Sequence, residues 1–250
     1  MHKPRVRCVH HWLRTCVVFL ALGVTHYAQS QTRPSDLALD GLKGNVASVE
    51  EETATVITKG GQTKEVDRHR TRSITFDKSG RITYEWIAIA GVSPFQQQYD
   101  YDKQGRQYRS TTRPTEAEGH TSAQGSLKVF MYDASKRVLF VDEYRGDPNE
   151  AANLRQIYEY YFDDSGRLNR EITRDTQRLE IFRTVYSYDA QGVVNEERLS
   201  MAENPVGQIF EFENTVDAQG NWVKRRSQMT ILKSGEKRIQ MIYRKISYRK

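Results

Sequence analysis

Apolar and polar positions alternate in short runs along most of this chain, and run after run ends in the same reversal. The clearest copy is Tyr158–Arg170. There Tyr158, Tyr160 and Phe162 alternate with Glu159, Tyr161 and Asp163, the period-two pattern of a strand with two different faces. Asp163 then opens a turn, since a short acceptor side chain bonds backbone N–H groups two residues on. Gly166 stands where a type I turn followed by a left-handed residue needs glycine. The unit predicts a β-hairpin with a fixed turn.

The same reversal recurs at Asp77/Gly80, Asp102/Gly105, Asp189/Gly192 and Asp217/Gly220, and at Asp133, where Lys136 occupies the glycine slot. The turn aspartates lie about 25–31 residues apart, a spacing that marks a repeat architecture. One and three positions before each aspartate stand mostly large side chains: Ile74/Phe76, Tyr99/Tyr101, Phe130/Tyr132, Tyr160/Phe162 and Tyr186/Tyr188. Ile82, Val138, Leu168, Val194 and Trp222 begin the return strands. Stacked in register, these residues form one buried face. A sugar-stacking platform is the competing reading of the rings, because aromatic side chains also line ligand pockets.

The Tyr-x-Tyr-Asp-x-x-Gly-Arg-Leu pattern resembles the YD or RHS repeat of secreted and surface bacterial proteins, over roughly residues 70–225. That resemblance implies a β-sheet shell wound from repeats and, in some members, carbohydrate binding. The chain has only about six units and no toxin-like tail, so an encapsulating role does not carry over. Leu42–Val49 and Gly220–Arg225 look like the opening and closing segments of small exported repeat proteins.

Outside the repeats, Val46–Thr58 reads as a strand, Lys59–Gln62 as a glycine-rich turn and Val66–Arg72 as a short charged strand. Residues 31–45 form a polar lead-in with one helical turn. Loops at Pro114–Ser126, Gly146–Asn153 and Ala202–Gly207 vary between the hairpins, and such loops are where ligand contacts concentrate. The predicted fold is all-β, about fourteen antiparallel strands in a hairpin meander over residues 46–250, curled into an open shell or barrel-like sheet.

Residues 1–30 read as an export signal: Lys3, Arg5, Arg7 and Arg14 precede an apolar run of about ten residues, too short to span a bilayer. Its removal changes the composition. The full chain carries a net +6. Four cations leave with the signal, so 34 Lys/Arg against 32 Asp/Glu remain, a net of +2. Cys8 and Cys16 leave too, which excludes disulfides, thiolate metal sites and cysteine nucleophiles from the mature chain. The expected location is periplasmic or extracellular, with no transmembrane segment after cleavage.

The C-terminal segment differs from the rest. Residues 221–250 hold ten Lys/Arg and one acid, Glu236. They read as a final hairpin with one charged face, on which Trp222, Lys224, Arg225, Arg226, Tyr243 and Arg244 are the candidate ligand-binding residues. The plainer reading is that the cations keep an exposed edge strand from pairing with another molecule.

No catalytic constellation stands out. His69 lies in a cationic stretch, His120 in a loop, and no Gly-x-Ser-x-Gly elbow occurs. Two distant histidines make no zinc set, and Asp163-Asp164 falls short of a calcium loop. No metal or cofactor is implied. Glu159 and Glu171 are assigned to the solvent side of their strands. The function expected is a non-enzymatic exported module contacting glycan or another envelope protein. The alternatives are a carbohydrate-active hydrolase using two carboxylates and a polyanion or nucleic-acid binder through residues 221–250, though export argues against nucleic acid.

Overall fold

A computed structural model describes residues 33–89, 91–114, 121–202 and 204–250, with backbone alone at 111–114, 121–124 and 204–206. The expected export signal, with Cys8 and Cys16, and His120 lie outside the described residues. Among the described residues fourteen strands follow one short α-helix: α1 (Asp36–Leu39), β1 (Val46–Lys59), β2 (Gln62–Phe76), β3 (Ile82–Ile89), β4 (Val92–Tyr101), β5 (Gln107–Pro114), β6 (Thr121–Asp133), β7 (Val138–Tyr144), β8 (Leu154–Phe162), β9 (Leu168–Arg174), β10 (Glu180–Tyr188), β11 (Val194–Met201), β12 (Asn204–Val216), β13 (Trp222–Ile231) and β14 (Lys237–Tyr248), with a 3-10 turn at Ala151–Asn153 between β7 and β8.

Each strand pairs antiparallel with the next, and β1 pairs with β14, so the sheet is a closed barrel. Closure bears out the barrel-like alternative and corrects the open-shell one. It also overturns the edge-protection reading of the C-terminal cations: β14 has partners on both sides, β13 and β1, and no edge to guard.

The repeated turns all lie at one end of the barrel, the turn end. Gly80, Gly105, Gly166, Gly192 and Gly220 have φ between +74° and +80°, where a residue with a Cβ is strained. In each of these turns the aspartate Oδ1 accepts the N–H groups two and four residues on, at 2.8–3.0 Å. The Asp133 turn differs from expectation. The left-handed residue is Arg137 (φ 53°) rather than Lys136, and Asp133 accepts from Ser135 Oγ and Lys136 N. An unanticipated turn of the same geometry, Asp175–Leu179 with Arg178 at φ 66°, sits at the opposite end.

Alternation carries the repeat aromatics inward. Ile74, Leu139, Val141 and Phe162 are buried in two apolar clusters with Phe76, Tyr99, Leu168 and neighbouring tyrosines. Tyr132 meets Phe162 edge-on at 6.3 Å, and Tyr158 stacks on Tyr160. These rings pack on one another, while Tyr186, Tyr188 and Trp222 line a cavity.

The outer wall is polar. Arg68–Glu52, Arg174–Glu159, Arg198–Glu196 and Arg226–Glu213 pair across or along its strands. Arginines also roof its rings, Arg70 over Trp86 at 4.1 Å and Arg170 over Tyr161 at 3.9 Å. Exposed apolar residues stand singly on the wall, as Met131 and Val185 do, or gather near the hairpin tips opposite the turn end, as Ile57, Ile89, Leu179 and Leu232 do. A lipid-spanning barrel needs an outward apolar band about 25 Å tall, and the described wall has none. No helix among the described residues is long and apolar enough to cross a membrane.

Candidate functional site

The segment before β1 runs across the turn end. Ser35 caps α1 by accepting Ala38 N–H at 3.2 Å. Asp36 Oδ2 then accepts the Ile82 N–H at 2.8 Å and the Tyr101 hydroxyl at 2.6 Å. Leu37 N–H donates to Gly80 O, and Asp40 pairs with Arg72 at 3.1 Å. On the far side, the Asn221 amide takes hold of the Lys43 backbone. The segment thus closes part of the barrel mouth and walls a cavity beneath itself.

That cavity measures about 610 Å³, within the usual range for small-molecule sites. Its apolar lining comes from Leu39 and Leu42 of the crossing segment and from Leu168, Tyr186 and Trp222 of the wall. Glu197, Arg225 and Arg244 line it together with Asp40, paired with Arg72, and Arg167, paired with Asp163, while Lys43, Ser165 and Gln191 stand exposed at its rim. A second cavity of about 260 Å³ lies among Asp40, Arg72, Glu85, Lys128 and Glu171.

The charged groups of the lumen are mostly committed to one another. Arg72 Nε bonds Glu85 at 2.6 Å, and Tyr99 donates to the same carboxylate at 2.8 Å. Glu143 holds Arg109, takes a 3.2 Å bond from Tyr158 and stands 3.9 Å from Lys128. Burial pushes the Lys128 ammonium down, with Glu143 opposing. Tyr186 donates to Glu171 at 3.2 Å.

Arg225 is the exception. It is 8% exposed, and its Nε donates to Asn214 Oδ1 at 2.8 Å, with a longer contact to Val194 O. Its guanidinium lies over Phe212 at 4.1 Å and Trp222 at 4.2 Å. Among the described residues it makes no ion pair. Burial, with Arg244 nearby, lowers it to about 10, against the pull of Glu197 and Glu51. Arg244 lies 3.7 Å over the same Trp222 ring and bonds Glu51 at 2.7 Å. Burial raises the Glu197 carboxyl, which Arg225 partly offsets.

The six candidate ligand-binding residues therefore do not share a surface. Trp222, Arg225 and Arg244 face the cavity. Lys224, Arg226 and Tyr243 face outward, Arg226 paired with Glu213 and Tyr243 bonded to Glu65 beneath Arg68. Adjacent strand residues point to opposite faces, so 225 and 226 could not act together. Glu159 lies outward, as expected, in a pair with Arg174. Glu171 does not: it lines the inner cavity, and burial raises its carboxyl against the bond from Tyr186. His69 is exposed on β2, its ring bonded to Asp67 O. Sequence reading missed Asn221, Glu197 and Lys43, whose only signal was position: Asn221 directly follows a turn glycine.

No family model matches the chain, and no curated protein does. Solved structures align weakly. A porin-like protein from Bacteroides vulgatus shares 12% identity over 82% of this chain and 98% of its own, with a TM-score of 0.38. A porin-like protein from Bacteroides uniformis shares 10% over 82% and 99%, with a TM-score of 0.37. A DUF1329 family protein from Desulfovibrio piger shares 13% over 85% and 90%, with a TM-score of 0.34. The YD/RHS resemblance is corrected on these findings. No family model matches, and the hairpins close one fourteen-strand barrel.

Proposed function

We propose that this chain is an exported, non-catalytic binding protein of the cell envelope that takes a small molecule into the turn end of its barrel. The observation that carries the reading is the contrast between the two sides of the wall. The outside is charged around the barrel, as suits water, while the inside keeps a cavity of about 610 Å³ roofed by the crossing segment. A pore would need the reverse, an apolar outside and an open channel.

The hydrolase alternative finds less support. Two-carboxylate hydrolysis pairs a raised acid with an ionised partner. Burial raises both Glu171 and Glu197, and the other lumen carboxylates Asp40, Glu85 and Glu143 are engaged by Arg72 and Arg109. The polyanion alternative is weakened by the acids already engaging the outward cations, Glu213 at Arg226 and Glu52 at Arg68.

Purification and electrical recording test the proposal. The exported chain is expected to purify folded without detergent, to bind one small molecule per barrel by native mass spectrometry, and to give no conductance in planar bilayers. Stepwise channel currents would contradict it.

A further inference from the structure

We infer that the turn-end cavity is built for an amphipathic carboxylate, its head group held by Arg225 and Arg244 and its apolar body lying against Leu39, Leu42 and Leu168. This inference rests on the binding reading above and names the chemical class of the ligand.

The argument begins with the cost of Arg225. A buried guanidinium is destabilising unless an anion or a full set of acceptors faces it. Arg225 has five N–H donors and two protein acceptors, one of them at 3.4 Å. Glu197 also lines the cavity but makes no hydrogen bond or ion pair with Arg225 among the described residues, and burial favours its neutral form. Arg244 spends one N–H on Glu51. None of the terminal guanidinium nitrogens of Arg225 or Arg244 is buried without a partner, and both residues line the cavity. Among the described residues the two guanidinium groups thus have between them one carboxylate in ion-pair contact, Glu51 at Arg244, with Glu197 nearby but unbonded to Arg225.

Geometry favours a planar head group. Both guanidinium carbons sit within 4.2 Å of the Trp222 ring, and Arg225 is also stacked on Phe212. Rings fix the forks in place, and a fixed fork matches a carboxylate bidentately. The remainder of the lining sets the body of the ligand. Leu42 and Leu168 are buried apolar side chains, so a purely polar anion would leave that part of the cavity unfilled. The rim cation Lys43, bonded only loosely to Gln191 O at 3.4 Å, adds positive charge at the entrance and favours an anion on approach.

Trp222 is a built-in reporter. The chain has three tryptophans, and a Trp12→Phe/Trp86→Phe variant leaves the one in the cavity. Its emission is followed while sodium dodecanoate, dodecanol or dodecyltrimethylammonium is added below the micellar range. Dodecanoate is expected to bind on the order of tenfold or more tighter than dodecanol, the equivalent of one charge-assisted hydrogen bond, and the cation not at all. In Arg225→Met, dodecanoate should weaken to the level of dodecanol, with dodecanol unchanged. Should Arg225→Met fail to fold, Arg225→Lys keeps the charge without the fork and is expected to bind dodecanoate several-fold more weakly. Equal binding of dodecanoate and dodecanol would overturn the carboxylate assignment while leaving the binding role standing. No response to any of the three would overturn both.

Discussion

The side-chain amide of Asn221 grips the backbone of Lys43 from both directions. Lys43 N–H donates to Asn221 Oδ1 at 2.7 Å, and Asn221 Nδ2 donates to Lys43 O at 2.9 Å. One side chain so imitates a strand pair across 178 residues of sequence. The same amide reaches the Tyr248 hydroxyl at 2.7 Å, which joins the crossing segment to the strand that closes the barrel.

Asn221 is 2% exposed, so removing its amide strands two backbone groups away from water. Asn221→Ala should cost roughly 2–4 kcal/mol in urea unfolding. Hydrogen exchange should quicken at residues 37–43 and stay unchanged in β8 and β9. A loss under about 0.5 kcal/mol, the range of an ordinary surface change, would show that the crossing segment is held elsewhere.

Two turn glycines share a conformation but not surroundings. Gly80 has φ +77° and Gly166 φ +76°. A Cβ on Gly80 would lie 2.9 Å from Leu37 Cδ1, whereas one on Gly166 would meet nothing within 4 Å. Gly166→Ala should cost about 1–2 kcal/mol, the left-handed backbone penalty alone. Gly80→Ala should cost clearly more and loosen α1. Equal losses by thermal unfolding would mean that Leu37 does not seat against that turn.

The turns and the lumen should respond to pH in opposite senses. Burial alone would raise the Asp77 carboxyl, but hydrogen bonds from Ser79 and Arg81 outweigh it and hold the group down to about 2. A carboxyl lowered on folding stabilises above its unfolded value near 4 and loses that contribution as pH falls towards 2. Glu171 is raised by burial, so the folded protein holds its proton more tightly, and stability falls as pH climbs past the ordinary glutamate value. Urea titrations at pH 3, 5 and 7 check both. Asp77→Asn should lose roughly half of its deficit by pH 3, and Glu171→Gln should gain on the parent chain between pH 5 and 7. A Glu171→Gln deficit that grows with pH would reverse the assignment.

Much of the wall was legible from local pattern. Period-two runs located the strands, and Asp-x-x-Gly located the turns because only that spacing gives one carboxylate two N–H partners and a left-handed residue. Closure was not legible, because the pairing of Val46 with Tyr248 is a relationship between the two ends of the sheet with no local signal. The cations of β14 were consequently read as edge guards. The cavity failed for a related reason: Leu42, Glu197, Arg225 and Arg244 come from four separate elements. Alternation would have separated Arg225 from Arg226. Trp222 was harder to place, since the register between β12 and β13 shifts at Val216 and Trp222.

The barrel, its roofed end and the cavity all depend on the seam between β1 and β14, where Glu50 lies opposite Lys245 and both side chains are exposed. With Cys8 and Cys16 replaced by serine, a Glu50→Cys/Lys245→Cys chain carries two thiols and no others. Mass spectrometry of the folded, air-oxidised protein, mapped after proteolysis, reads the seam directly. Closure predicts a single intramolecular disulfide joining the two peptides, formed in nearly all molecules without loss of fold. Free thiols on a folded monomer, or disulfides found only between molecules, would contradict a closed barrel.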